Sequence, residues 1–207
     1  MPIRAAIFDL DGTLVDSGLD FDLMRAEMGL ARGLPLLEAI AAVEAEIAAR
    51  CHAILLEHER RGAQRATLYP GVAHFIDELA ARGWRRAVFT RNSRDLTLHT
   101  LARVGLEFDA VLSRDDAPAK PDPAALLQIC EAWRILPSEC VVIGDHRFDI
   151  EAGRRAGMRT VLYTGSGLRP DLREGDSPDY LLACFSQPQG FWRWVEQIDL
   201  EACGADC

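Results

Sequence analysis

The segment FDLDGTLVDS, residues 8–17, carries two aspartates two positions apart, directly after an apolar run. Side chains two apart on an extended chain point the same way. Asp9 and Asp11, or one acid and a neighbouring carbonyl, therefore face one cavity at a strand tip. Gly12 permits a sharp turn and close approach of a ligand, and Thr13 is suited to hold that turn by a hydrogen bond. The plainer alternative is a strand followed by an acidic Asx-turn. A second string, VVIGDHRFDIEAGRRAGM at 141–158, repeats the arrangement. There an apolar run reaches Gly144 and Asp145, and Asp149 follows within the first turn of a helix. Carboxylates gathered this closely resist ionising together. A divalent cation removes that difficulty, and oxygen ligands suit Mg²⁺. The competing account makes Asp145 an N-cap and Asp149 a first-turn acid favoured by the helix dipole. Two quieter residues complete the set. Thr90 closes the run RAVFT within FTRNS, where turn amides can form an anion-binding nest. Lys120 lies in APAKPDP, whose Pro118, Pro121 and Pro123 stiffen the loop and fix where the ammonium points. An ordinary solvent-exposed lysine is the alternative.

Positioning these residues requires strands that end at one edge. Short apolar or β-branched runs occur at 3–8, 86–90, 109–112, 140–144, 160–163 and 179–182. Amphipathic stretches at 71–82, 94–104, 122–133 and 148–156 lie between them. Apolar strands alternating with helices predict an α/β fold with a doubly wound, mostly parallel, Rossmann-like sheet. Ligands then sit beyond the carboxyl ends of the strands. Residues 19–66 break the alternation: they contain no convincing strand and are rich in Ala, Leu, Glu and Arg. A long helix is expected after Gly33-Leu34-Pro35, with Gly62 as its C-terminal cap. Residues 16–69 read as a small all-helical insertion, longer than an ordinary crossover connection. That leaves 1–15 and 70–207 as the α/β core. A terminal helix over 190–202 should bury Phe191, Trp192, Trp194, Val195 and Ile198.

The chain has 207 residues, 49% of them apolar, and a formal net charge of −9. Its apolar content excludes global disorder. Its charge repels polynucleotide phosphates, so no nucleic-acid partner is expected. No apolar stretch approaches the ~20 residues of a membrane span, and the first residues lack a leader pattern. A cytoplasmic address is the expectation. With no CxxC pair, the six cysteines are expected as free thiols, Cys203 and Cys207 lying incidentally near the tail. Oligomeric state is not readable.

In their order along residues 3–183, these segments resemble the haloacid dehalogenase-like hydrolase superfamily. The likeness is to its phosphoglycolate phosphatase-like branch with a helical cap. The pattern is an Asp-x-Asp-Gly-Thr string, a strand-terminal Thr, a Lys before Pro, and Gly-Asp-x-x-x-Asp. The resemblance implies an Mg²⁺-dependent phosphatase acting on a small phosphorylated metabolite. Asp9 would be the nucleophile that becomes an aspartyl phosphate, and Asp11 the general acid and then base. The Asp11 main-chain carbonyl, Asp9, Asp145 and Asp149 would hold the metal. Thr90 and the Arg91 amide would hold phosphate, and Lys120 would orient the nucleophile and offset charge. A phosphoglucomutase-like transferase and a non-catalytic binding or regulatory module are the alternative readings. The sequence departs from the pattern at His146, expected to face solvent, and at Arg91, where Asn is common. Arg25, Arg50 and His52 are polar residues of the insertion, expected on solvated faces.

Overall fold

The computed structural model describes residues 2–167 and 177–204. In chain order, β1 (Ala5–Phe8) is followed by β2 (Val15–Asp16) and by helices α1 (Phe21–Met28), α2 (Leu36–Ala41) and α3 (Ala45–Arg65). Next come β3 (Thr67–Leu68), α4 (Val72–Ala81), β4 (Arg85–Phe89), α5 (Arg94–Val104), β5 (Ala110–Leu112) and α6 (Ala124–Trp133). The chain continues with β6 (Cys140–Gly144), α7 (Arg147–Ala156), β7 (Arg159–Tyr163), β8 (Tyr180–Leu182) and α8 (Gln189–Gly204). Six strands form one sheet in the order β5-β4-β1-β6-β7-β8, every pairing parallel. This is the doubly wound α/β architecture expected, with helices inserted after the first strand.

Strand β1 is buried throughout because both faces of the sheet are covered. Its alternation divides the interior. Ala6 and Phe8 join one cluster with Phe75 and Leu79 of α4, Leu101 of α5 and Phe191 of α8. Ala5 and Ile7 join the other with Leu126 and Ile129 of α6 and Ala152 of α7. Phe75 anchors the first layer, with ring centres at 6.3 Å from Phe8, 5.2 Å from Phe185, 5.3 Å from Phe191 and 5.6 Å from Trp192. Helix α8 buries Phe191, Trp192 and Val195, as its spacing predicts, with Trp194 and Ile198 half-buried beside them.

The inserted helices have a separate apolar cluster: Met24 and Met28 of α1, Leu36 and Ile40 of α2, Cys51 and Leu55 of α3. One long helix was the expectation here, and the structure corrects it. The chain breaks between Ala41 and Ala45, which lets the apolar faces of α2 and α3 converge on Met24 and Met28. Gly62 is not the cap; α3 runs on to Arg65. A Cβ on Gly62 would lie 3.0 Å from the Leu19 side chain and 3.3 Å from the Ser17 carbonyl oxygen. Glycine is there for close approach. The base of the insertion is an unexpected antiparallel ribbon pairing Val15 with Leu68 and Asp16 with Thr67. Two residues per strand leave no periodic signal. Arg25 donates to the Ala31 and Leu34 carbonyls, while Arg50 and His52 are exposed.

Among the described residues Cys51, Cys130, Cys140 and Cys184 are free thiols. Cys207 and the side chain of Cys203 lie outside the described residues. No described helix is long and apolar enough to cross a membrane.

Candidate active site

The tips of β1 and β6 are tied where the Asp9 amide donates to the Ile143 carbonyl at 2.9 Å. Beyond that tie the chain turns at Gly12, whose φ of +83° suits glycine alone. Space is as restrictive as conformation: a Cβ on Gly12 would sit 2.3 Å from Asp145 Oδ2. Thr13 Oγ1 donates to Asp145 Oδ1 at 3.1 Å, fixing the second carboxylate against the first loop. At the end of β6, a Cβ on Gly144 would sit 2.1 Å from Asp149 Cγ. Gly12 therefore makes room for a carboxylate that arrives from the other string, and Gly144 for one that returns from its own.

His146 settles the competing account of these acids. It is the N-cap of α7, with Nδ1 accepting from the Phe148 amide at 3.2 Å, and the residue is exposed as expected. Asp145 is thereby released from capping. Asp149 does serve as the first-turn acid, its Oδ2 accepting from the His146 amide at 3.1 Å. Its Oδ1 simultaneously accepts from Lys120 Nζ at 2.6 Å. Lys120 Nζ also donates to Asp9 Oδ1. Lys120 is 3% exposed, so the solvent-exposed alternative for it is wrong.

One carboxylate oxygen from each of Asp9, Asp145 and Asp149 falls within 4.8 Å of the other two. Burial pushes the Asp9 carboxyl well above the usual range; Lys120 opposes the rise, and Asp149 and Asp145 add to it. Burial, reinforced by Asp149, pushes Asp145 up to about 7. Burial works the other way on Lys120, but Asp149 and Asp9 outweigh it and hold the ammonium above its ordinary value. Three acids thus face one cation in a site largely closed to water. Close-set hard oxygen donors with surplus negative charge fit a small divalent cation.

Asp11 stands in an adjoining environment. Its Oδ1 accepts from Ser17 Oγ and its Oδ2 from Asn92 Nδ2 at 2.6 Å. Burial raises Asp11 to about 6, with the Ser17 hydrogen bond opposing and the Glu59 charge assisting. Thr90 directly follows β4 and is almost fully buried, its hydroxyl accepting from the Asn92 amide at 3.1 Å. The Arg91 guanidinium leaves the sheet edge: it donates to the Lys120 carbonyl and pairs with Glu38 of α2 at 2.7 Å.

Ser17, Asn92, Glu38, Glu59 and Arg114 were not among the residues expected to form the site. Ser17 closes the first acidic string and Asn92 lies inside FTRNS, so both were within the strings already singled out. Glu59 had a signal too. It falls on the buried stripe of α3 with Cys51, Leu55 and Gly62, where a carboxylate needs a partner. Glu38 and Arg114 carried none.

Comparisons with known proteins show the family. The family described as "Haloacid dehalogenase-like hydrolase" matches residues 6–163. A haloacid dehalogenase-like hydrolase domain-containing protein of Arabidopsis thaliana is 30% identical over 83% of this chain and 79% of its own length. The phosphoglycolate phosphatase of Thiobacillus denitrificans is 31% identical over 76% of this chain and 81% of its own. Among solved structures, one titled a predicted phosphoglycolate phosphatase from Haemophilus somnus shares the fold. Its TM-score is 0.73 at 21% identity, over 91% of this chain and 97% of that one.

Proposed function

The chain belongs to the haloacid dehalogenase-like hydrolases and is a phosphoric monoester hydrolase, and on that premise we propose that it hydrolyses a small phosphorylated metabolite, with Mg²⁺, through an aspartyl phosphate on Asp9. The observation that carries the reading is the grouping of Asp9, Asp145 and Asp149 around the buried Lys120. In this reading, residues 1–15 and 70–207 are the catalytic core and 16–69 a cap over it.

An Asp9 carboxylate oxygen attacks phosphorus while the bond from phosphorus to the leaving oxygen breaks. Asp11, raised to about 6, gives its proton to that oxygen. A water then attacks the phosphoryl group, Asp11 takes its proton, and the bond to Asp9 breaks, releasing inorganic phosphate. Splitting the reaction in this way replaces one high barrier by two lower ones. Ser17 and Asn92 hold both oxygens of Asp11, fixing the line along which the proton moves. Lys120 orients Asp9 and offsets charge on the transferring group. Thr90 and the Arg91 amide hold phosphate oxygens. Asp9, Asp145, Asp149 and the Asp11 carbonyl would hold Mg²⁺, which when bound screens the repulsion between nucleophile and phosphate.

The test is turnover of p-nitrophenyl phosphate with Mg²⁺, with EDTA, and in Asp9→Asn. We expect activity that EDTA abolishes and that Asp9→Asn lowers by ~10³-fold or more. Turnover that survives both treatments would falsify the mechanism. A panel of phosphorylated metabolites that includes phosphoglycolate, scored by kcat/KM, then identifies the substrate.

A further inference from the structure

Helix α3 reaches the active-site edge through one buried carboxylate. Glu59 is 3% exposed and meets the Arg114 guanidinium in a two-pronged pair, with Nη2 at 2.9 Å from Oε2 and Nη1 on Oε1. The same Nη1 donates to the Arg91 carbonyl at 2.8 Å, and the Arg114 amide donates to the Asn92 carbonyl at 3.2 Å. Arg114 therefore holds the Arg91 carbonyl with its side chain and the Asn92 carbonyl with its main-chain amide. Asn92, gripped from behind, turns its side-chain amide onto Asp11 at 2.6 Å. The base of Arg114 is itself fixed. Asp116 accepts from the Ser113 amide at 2.9 Å and from Arg94 at 2.8 Å, and Asp115 accepts from the Arg94 amide at 2.7 Å.

A fastening role alone does not account for this arrangement. Buried ion pairs are poor fasteners, because desolvation offsets their attraction and apolar residues of similar volume hold as well. The charged fork supplies something an apolar pair cannot: a donor aimed at the Arg91 carbonyl while it remains seated on α3. We propose that Arg114, seated on Glu59, is a positioning residue for the proton donor Asp11. It acts through the Arg91–Asn92 peptides, so that the donor is aligned only when α3 is in place. The inference rests on the role given to Asp11 above.

The experiment measures kcat and KM for a series of substituted phenyl phosphates, from p-nitrophenyl to unsubstituted phenyl. A good leaving group departs without a proton, whereas a poor one needs the donor, so loss of donor alignment steepens the dependence on leaving group. The variant Glu59→Gln with Arg114→Gln removes both charges and leaves no unpaired ion. We expect its kcat/KM on phenyl phosphate to fall ~10–100-fold, within the 10²–10⁴ that a positioned acid contributes. On p-nitrophenyl phosphate kcat/KM, which ends at departure of the leaving group and so excludes the later step in which Asp11 acts as base, should hold within about threefold. Arg114→Lys keeps the charge without the fork and should recover part of the loss; it carries the test if circular dichroism shows the double variant unfolded. Glu57→Gln, at a half-buried acid of the same helix that pairs with Arg60 and Arg61, should match the wild type. Equal losses across the series, or none, overturn the proposal. Asp11→Asn in the same series separates the two readings. If it fails to steepen the dependence, the role of Asp11 falls. If it steepens the dependence and the Arg114 variants do not, only the relay falls.

Discussion

At the carboxyl edge of the sheet, Thr90, Lys120 and Asp149 are 2%, 3% and 1% exposed. On the inserted helices, charged groups pair in solvent, as in Arg32 with Asp22 and Glu57 with Arg60 and Arg61. The two regions have charges of similar kinds and handle them oppositely. Solvated pairs contribute little to stability, whereas buried like charges raise one another's pKa and oppose folding. The sheet edge therefore keeps an arrangement that lowers stability, and the apolar clusters on both sheet faces offset it. Glu59 is the exception on the insertion, buried like a residue of the edge because it reaches toward the edge.

Substitutions should separate the two regions in graded fashion. The largest stability effect is expected from Lys120→Met. It leaves Asp9 and Asp149 facing each other without their cation, and costs the metal-free protein about 3–5 kcal/mol. Thermal melts should show this, with Mg²⁺ restoring part of the melting temperature but not the turnover. Asp145→Asn should act in the opposite direction. The folded state holds a proton on Asp145 up to about 7, while the unfolded chain releases it near its ordinary value of 3.8. The native state binds more protons between those values, so this group's contribution to stability falls as pH rises from 3.8 toward 7. The variant removes that fall. At pH 8 without metal it should melt several degrees above the wild type, at roughly 2–4 °C per kcal/mol for a chain of this size. Mg²⁺ should then raise the melting temperature of the wild type and leave the variant nearly unmoved. A wild type whose metal response is the same at pH 5 and pH 8 would contradict the surplus of negative charge at the edge. The smallest effect belongs to Glu57→Gln, which should leave the melting curve unchanged.

The edge was legible because its requirements are local. A strand tip, a permissive glycine and an acid two or four residues away all appear within single short strings, and the strings marked the strands as well. Apolar runs of four or five residues gave the sheet to within a residue or two at most ends. The insertion was less legible, since its form depends on contacts between distant segments. Nothing near residues 42–44 announces a break; it follows from α2 and α3 meeting the same methionines of α1. Gly62 signals a cap in sequence and proves to be a contact surface for Ser17 and Leu19 in space. Lys120 shows the limit from the other side. Its prolines suggested a fixed ammonium, but its partner Asp149 lies 29 residues on, and only folding brings them together.

Gly12 and Gly144 set a boundary on how this enzyme can diversify. With 2.3 Å and 2.1 Å between an added methyl and the opposing carboxylate group, neither position admits another residue while both acids keep their places. Change is confined to sites that do not share that wall. The outer face of α1 and the turn before α2, where Phe21, Leu23 and Leu34 are exposed, lie outside both the wall and the buried clusters and are free to vary. A lineage of this chain could rewrite those surfaces many times while the carboxylate wall stays fixed.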